Sequence, residues 1–234
     1  MKRLGLYTFC LALVGLNMPE GYAQAAEQAA REAFYNYADR FANVFVGRIP
    51  DSYPSAFAGT YFIESPTFVE GSLSYNGRHY NKVLLNINAH KDLLYCLFPE
   101  GGYAIMLDAN LVEDLVIGGE RFVYYAANRQ AKLAAGYYAL LHDGSVRLLK
   151  HTKQQYIENA DIHRLVLDKK FDAIVRYYLI KDGQLYTITG RSSLLSALSE
   201  RRRELSRWTP PVDFREDPTA AYKSYMAYYE SLIK

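Results

Sequence analysis

The chain has 234 residues, 50% of them hydrophobic, with 27 basic against 25 acidic side chains. A net charge of +2 creates no field strong enough to hold nucleic acid or anionic lipid, so neither is expected as a partner. The length fits one domain of ordinary size.

Residues 1–25 have the order of a cleavable signal peptide. Lys2 and Arg3 are followed by the apolar run Leu4 to Leu16 and by small residues at Ala23-Gln24-Ala25. The run is about thirteen residues and a spanning helix needs roughly twenty, so no membrane-spanning segment is expected after processing. Removing residues 1–25 from 234 leaves 209, a mature chain of residues 26–234. Its basic and acidic totals fall from 27 and 25 to 25 and 24, because Lys2, Arg3 and Glu20 are lost. The expected location is outside the cytoplasm, in the periplasm or at the cell surface. Only Cys96 survives processing; it lies in the apolar run Leu93 to Phe98 and is expected to be a packing residue.

From Ala26 to about Asn43, Ala30, Phe34, Tyr37, Phe41 and Phe45 recur at helical spacing, which predicts an amphipathic helix. Gly47, Pro50 and Pro54 then mark a loop. From Thr60 onward the pattern becomes short β-branched and aromatic runs separated by turn dipeptides. Ten strands follow: Thr67–Tyr75, Arg78–Asn88, Leu93–Phe98, Tyr103–Leu107, Asp114–Ile117, Arg121–Ala126, Gly136–Leu141, Val146–His151, Ile174–Ile180 and Gln184–Thr189. Asn76-Gly77, Asp143-Gly144 and Asp182-Gly183 are the clearest hairpin turns. Thr152 to Asp172 is polar and charged, and reads as a long connection with a strand near Leu165-Val166-Leu167.

One register detail can be derived. Leu73 and Tyr80 face one side across the Asn76-Gly77 turn, yet Val83, Leu85 and Ile87 are an odd number of residues from Tyr80. A one-residue bulge near Asn81-Lys82 keeps both groups buried.

A helical pair at about residues 192–234 closes the chain. Ser192 or Ser193 caps a helix carrying Leu194, Leu198, Leu205 and Trp208, which Pro210-Pro211 ends. Asp217-Pro218 then starts a helix with the stripe Tyr222, Tyr225, Met226, Tyr229, Leu232 and Ile233. The fold class is therefore mainly β (α+β): an antiparallel meander or open barrel with an N-terminal helix and two C-terminal helices.

No motif assigns a catalytic, metal or cofactor role. The five histidines are scattered, and the serine-hydrolase, phosphate-loop and dinucleotide signatures are missing. Glu64, Glu70, Asp92, Glu100, Glu113 and Asp114 lie on or beside strands and are the candidates for a carboxylate pair. Arg201-Arg202-Arg203 reads as a solvated helix surface, flanked as it is by Glu200 and Glu204.

Tyrosine is the compositional oddity, with 22 in all. Each strand doublet, Tyr124-Tyr125, Tyr137-Tyr138 and Tyr177-Tyr178, is expected to turn one ring inward and one outward. Outward rings on neighbouring strands would form a stacking surface, so these six residues are the candidate binding site for a glycan or an envelope protein.

The succession Val46-Gly47, Gly59-Thr60-Tyr61-Phe62, Phe68-x-x-Gly71-Ser72-Leu73-x-Tyr75-Asn76-Gly77-x-x-Tyr80 and Val83-Leu84-Leu85-Asn86, with the two Asp-Gly hairpins and the C-terminal tyrosine helix, resembles a family of uncharacterised exported proteins of Bacteroidetes-type bacteria. The resemblance implies export and a β-meander and brings no activity with it. The expected function is a non-catalytic exported cell-envelope protein that binds a protein partner, a glycan or an apolar ligand. Two alternatives stand beside it: a lipid or lipoprotein carrier of half-barrel type, and a hydrolase with dispersed carboxylates.

Overall fold

Ten antiparallel strands make one open sheet in the computed structural model, which describes residues 43–53, 56–98, 100–128, 133–161 and 166–233. The signal peptide and the predicted N-terminal helix lie outside the described residues. The strands are β1 (Val69–Tyr75), β2 (Arg78–Asn88), β3 (Leu93–Leu97), β4 (Ala104–Met106), β5 (Val112–Ile117), β6 (Glu120–Tyr125), β7 (Gly136–Asp143), β8 (Arg147–Asp161), β9 (Val166–Lys181) and β10 (Gln184–Ile188). Three α-helices follow: α1 (Arg191–Ala197), α2 (Arg202–Arg207) and α3 (Pro218–Ile233).

The strand order is β10-β9-β8-β7-β6-β5-β1-β2-β3-β4. Two meanders, β1 to β4 and β5 to β10, are thus joined where β5 returns to pair with β1. A single cross-strand row runs over eight strands through Tyr80, Leu73, Leu115, Phe122, Ala139, Lys150, Tyr177 and Ile188. Most of that row is the core, with Leu73, Leu115 and Ala139 fully buried. Leu85, Ile87, Leu94 and Cys96 extend the same face across β2 and β3 and are buried as well.

The bulge sits where the hydrophobic pattern requires it. Gly71 pairs with Val83 but Leu73 pairs with Tyr80, so Ser72 faces both Asn81 and Lys82. Lys82 takes the left-handed conformation, φ 56°, that such an extra residue often needs. Both Leu73 and Leu85 reach zero exposure as a result.

Turn chemistry explains two of the three hairpins read from the sequence. Asn76-Gly77 and Asp182-Gly183 both have two positive φ angles, 51° and 73° in the first and 50° and 74° in the second, as a type I′ turn demands. Asp143-Gly144 does not. Its hairpin closes with Asp143 opposite Arg147, and a Cβ on Gly144 would lie 2.3 Å from Glu230 Oε1 of α3. Gly144 is there to let the helix approach.

The stretch from Thr152 to Asp172 corrects the sequence reading. It is no connection but the distal half of the β8–β9 ladder, which pairs residue for residue from Arg147 opposite Ile180 to Asp161 opposite Val166. Its buried inward residues on β8, Thr152 and Gln154, are polar, so the alternation of a strand was masked.

Gly190, not Ser192 or Ser193, caps α1. Ser193 stands at the third helical position and its Oγ accepts from the backbone N–H of Gly190 and of Thr189, at 3.1 and 2.9 Å, one half of a capping box. A 3-10 turn at Ser199–Arg201 separates α1 from α2, so the predicted pair is three helices. That turn places Glu200, which accepts from Tyr229 Oη at 2.6 Å and pairs with Lys181 at 2.6 Å. Asp217 caps α3 as read, accepting from the Ala220 N–H at 2.9 Å. Of the tyrosine stripe, Tyr222, Tyr225, Met226 and Tyr229 are buried, whereas Leu232 is half-buried and Ile233 exposed.

Two stability tests follow. Deleting the exposed Lys82 removes the bulge and leaves Asn81 alone opposite Ser72, so Val83, Leu85 and Ile87 keep the core face in a regular ladder. The deletion should therefore still unfold in one cooperative transition, and Lys82→Gly, which relieves a left-handed side chain, should melt at or above the wild-type temperature. Tyr225→Ala removes a ring with no exposed surface, at a cost of about 3–5 kcal/mol. Its melting temperature should fall by many degrees while that of Lys223→Ala stays within a degree or two.

Candidate functional site

Both sheet faces are covered at the tyrosine doublets, so the expected outward platform is not formed. Tyr124 lies opposite Tyr137, and Val123 opposite Tyr138. On one face Tyr138 and Tyr178 are buried with Leu133 and Leu149, and Tyr125 packs against them. On the other, Tyr137 is 1% exposed and its ring centroid is 5.1 Å from that of Tyr124. Tyr177 lies beneath α3, its hydroxyl 2.8 Å from Thr219 Oγ1 and its ring 4.7 Å from Tyr222. Tyr124, Tyr125 and Tyr177 are half-buried. Burial raises the pKa of the Tyr137 and Tyr138 hydroxyls well above the ordinary phenol range.

The six candidate carboxylates have separate fates. Glu70 and Glu100 are exposed, Glu113 accepts the Gly77 N–H at 2.8 Å, and Asp114 pairs with Arg121 at 3.0 Å. Glu64 and Asp92 are the two that meet buried basic side chains, Lys150 and His151.

Glu64 meets Lys150, the one charged residue in the otherwise apolar and aromatic cross-strand row. The Lys150 side chain is 11% exposed; its Nζ lies 2.8 Å from Glu64 Oε1 and 3.9 Å from Glu120 Oε2. Burial acts against the charged amine, and the Glu64 and Glu120 carboxylates outweigh it, so the pKa is raised and Lys150 stays an ammonium. The two carboxylates, but not Lys150 itself, line a cleft of about 520 Å³ whose walls also include Ile63, Asn86, Arg121, Phe122 and Lys223. Its wall is assembled from distant parts of the chain: the segment before β1, the β5–β6 turn, and α3. Glu120 and Lys150 were missed in the sequence. The available signal was the inward series Leu148, Lys150, Thr152 and Gln154 on β8, in which three polar residues hold core positions at 9%, 5% and 6% exposure.

Asp92 enters a second cluster on the opposite face of β8. His151 Nε2 lies 3.0 Å from Asp92 Oδ1, and Lys153 Nζ donates to Asp92 Oδ2. The His151 ring stacks on Tyr138 with centroids 4.4 Å apart. This cluster fastens the β2–β3 turn to β8, and among the described residues no serine, threonine or cysteine is hydrogen-bonded to the histidine.

Ser145, His142 and Glu230 have the residue types of a hydrolytic triad in the wrong order. Glu230 Oε1 accepts from Ser145 Oγ at 2.7 Å and lies 3.0 Å from His142 Nε2. The carboxylate occupies the centre, so it, and not the imidazole, receives the serine hydroxyl. Cys96 is buried and its thiol is pushed up to about 12 by burial, which leaves no thiolate at neutral pH. Among the described residues, no three His, Cys, Asp or Glu side chains are grouped to hold a metal, and no helix is long and apolar enough to cross a membrane.

Fold and cleft together define an open ten-stranded antiparallel sheet carrying a charged seat on its inner face. No protein-family model, curated protein or solved structure matches the chain.

Glu230 gives a pH test of the α3 docking. Burial opposes its charge, and hydrogen bonds from His142 and Ser145 outweigh it, so its carboxyl is held below the usual 4.5. A depressed folded-state pKa contributes stability above the unfolded value and loses it as pH falls through the folded value. Glu230→Gln should therefore melt below wild type at pH 7, with the gap closing below about pH 4.

Proposed function

We propose that the mature chain is an exported, non-catalytic binding protein of the cell envelope, and that the cleft over Lys150 seats a glycan. The observation that carries this reading is the pair of carboxylates on the cleft wall, Glu64 and Glu120, which lie 2.8 and 3.9 Å from the buried Lys150 ammonium. An ammonium held between two carboxylates offers no free nucleophile, and it leaves the outer lone pairs of both acids to accept from sugar hydroxyls. Arg121 and Lys223 add a guanidinium and an ammonium to the walls, and Phe122 adds an aromatic ring. An apolar ligand fits less well, because the inner face is filled by its own buried side chains and this cleft is walled by charges. Export rests on the pattern of residues 1–25.

Isothermal titration with a panel of neutral and amino-sugar oligosaccharides tests the seat. At least one should bind, and Glu120→Gln should weaken it by about tenfold or more, since hydrogen bonds to charged groups contribute about 1.5–3 kcal/mol. Binding by none, or equal binding by the variant, would remove the glycan reading. Release of new reducing ends would make the protein a hydrolase instead.

A further inference from the structure

The two edges of the sheet are treated differently. At β4 the outward backbone is occupied: Met106 N–H donates to Arg48 O at 2.8 Å, and Gly47 packs so closely that a Cβ there would lie 2.6 Å from Met106 O. β10, at the other edge, has no such cover among the described residues. Its type I′ turn makes Lys181 and Gln184 a hydrogen-bonded pair, so Tyr186 and Ile188 also bond inward to β9 while Leu185 and Thr187 point their N–H and C=O groups outward. Neither Leu185 nor Thr187 has a backbone partner on that side among the described residues. The strand, Gln-Leu-Tyr-Thr-Ile, contains no charge and no proline, the residues that normally blunt an exposed edge.

A groove of about 430 Å³ adjoins the end of β10, walled by Tyr177, Ile188, Phe214 and Tyr222 together with Val175 and Arg176. Val175 is 45% exposed. Arg176 is exposed, and among the described residues no carboxylate is paired with it.

We infer that β10 receives an extended segment of a partner protein as an eleventh strand, with an apolar side chain of that segment in the groove beside Ile188 and an acidic one near Arg176. Only an extended backbone presents donors and acceptors at the two-residue spacing of Leu185 and Thr187. A second copy of this chain fits less well. The antiparallel register that uses all four free groups pairs Leu185 with Thr187 of the copy, and so sets the copy's Gln184 opposite Ile188, a polar amide against an apolar groove.

The surface is independent of the cleft, and its test does not involve a saccharide. A phage-displayed dodecapeptide library is panned against the full chain, and the selected peptides are measured by fluorescence anisotropy. They should carry alternating apolar residues with an acid. Thr187→Pro should weaken them at least about tenfold, because proline removes an outward N–H while leaving the β9 ladder intact; Thr187→Val, which keeps the N–H, should bind like wild type. Hydrogen exchange provides a readout in the unaltered chain: the Leu185 and Thr187 amides should exchange fast when free and become protected by peptide. No enrichment, equal binding to Thr187→Pro, or amides already protected without peptide would overturn the proposal. A wild-type dimer in sedimentation that Thr187→Pro makes monomeric would overturn it in favour of a second copy.

Discussion

The structure depends on one irregular segment, Ala56 to Glu64, which bridges two strands that are not neighbours in the sheet. On one side Ala58 N–H donates to Lys169 O at 2.8 Å and Ala58 O accepts from Phe171 N–H at 3.0 Å. On the other, Ile63 N–H donates to Ile87 O at 3.0 Å and Tyr61 O accepts from Ala89 N–H at 2.8 Å. Since β9 and β2 are separated in order by β8, β7, β6, β5 and β1, the sheet must curl for one short segment to touch both. Gly59, at φ +82°, makes the approach to β9 feasible; a Cβ there would lie 2.8 Å from Phe171 O. Phe57 and Tyr61 pack with Tyr53 around the Phe171 ring, at centroid distances of 5.1, 6.0 and 5.4 Å. The aromatic contacts add apolar burial to a segment whose backbone bonds are few.

The bridge also explains why the core turns polar along β8. A strand residue facing an apolar layer must be apolar, but beyond Leu148 the inner face of β8 meets the bridge, whose carbonyls and side chains need partners. Gln154 Nε2 donates to Phe62 O at 3.2 Å, and its backbone N–H donates to Ala89 O at 3.0 Å. Lys150 reaches Glu64 from the same strand face. A buried ammonium costs far more than an amide, and is tolerated here because two carboxylates converge on it. The same convergence defines the cleft, so the candidate site follows from the way the curl is held.

Much of the sheet was legible in the sequence because its signals are local. The turn dipeptides and alternation between Val69 and Tyr125 located six strands, and the odd spacing from Tyr80 to Val83 located the bulge. What failed was every feature that depends on a distant partner. The distal β8–β9 ladder was hidden because Lys150, Thr152 and Gln154 occupy inward positions only when Glu64 and Phe62, some ninety residues earlier, come to meet them. The tyrosine doublets were assigned an outward ring on the assumption of one wet face, whereas Leu133 and neighbouring strands cover one side and α3 covers part of the other. The break between α1 and α2 follows from Glu200 reaching Lys181 and Tyr229. Glu64 was among six candidates by position alone; nothing local distinguishes it from Glu70.

The helix α3 links this frame to the cleft from outside. Its buried tyrosines fix it on the sheet, Tyr229 binds Glu200 near its end, and Glu230 occupies the β7–β8 turn. Those contacts lie on one side of the helix and toward its C-terminus, while Lys223, in its second turn, lines the cleft. Lys223 is exposed, so its ammonium is free to follow what enters the cleft, whereas Lys150 on the sheet is locked by its two acids. The seat therefore combines two carboxylates tied to a fixed cation with an adaptable cation, Lys223, on its wall. A ligand gains orientation from carboxylates that Lys150 already holds, which lowers the side-chain ordering cost there relative to the exposed Lys223.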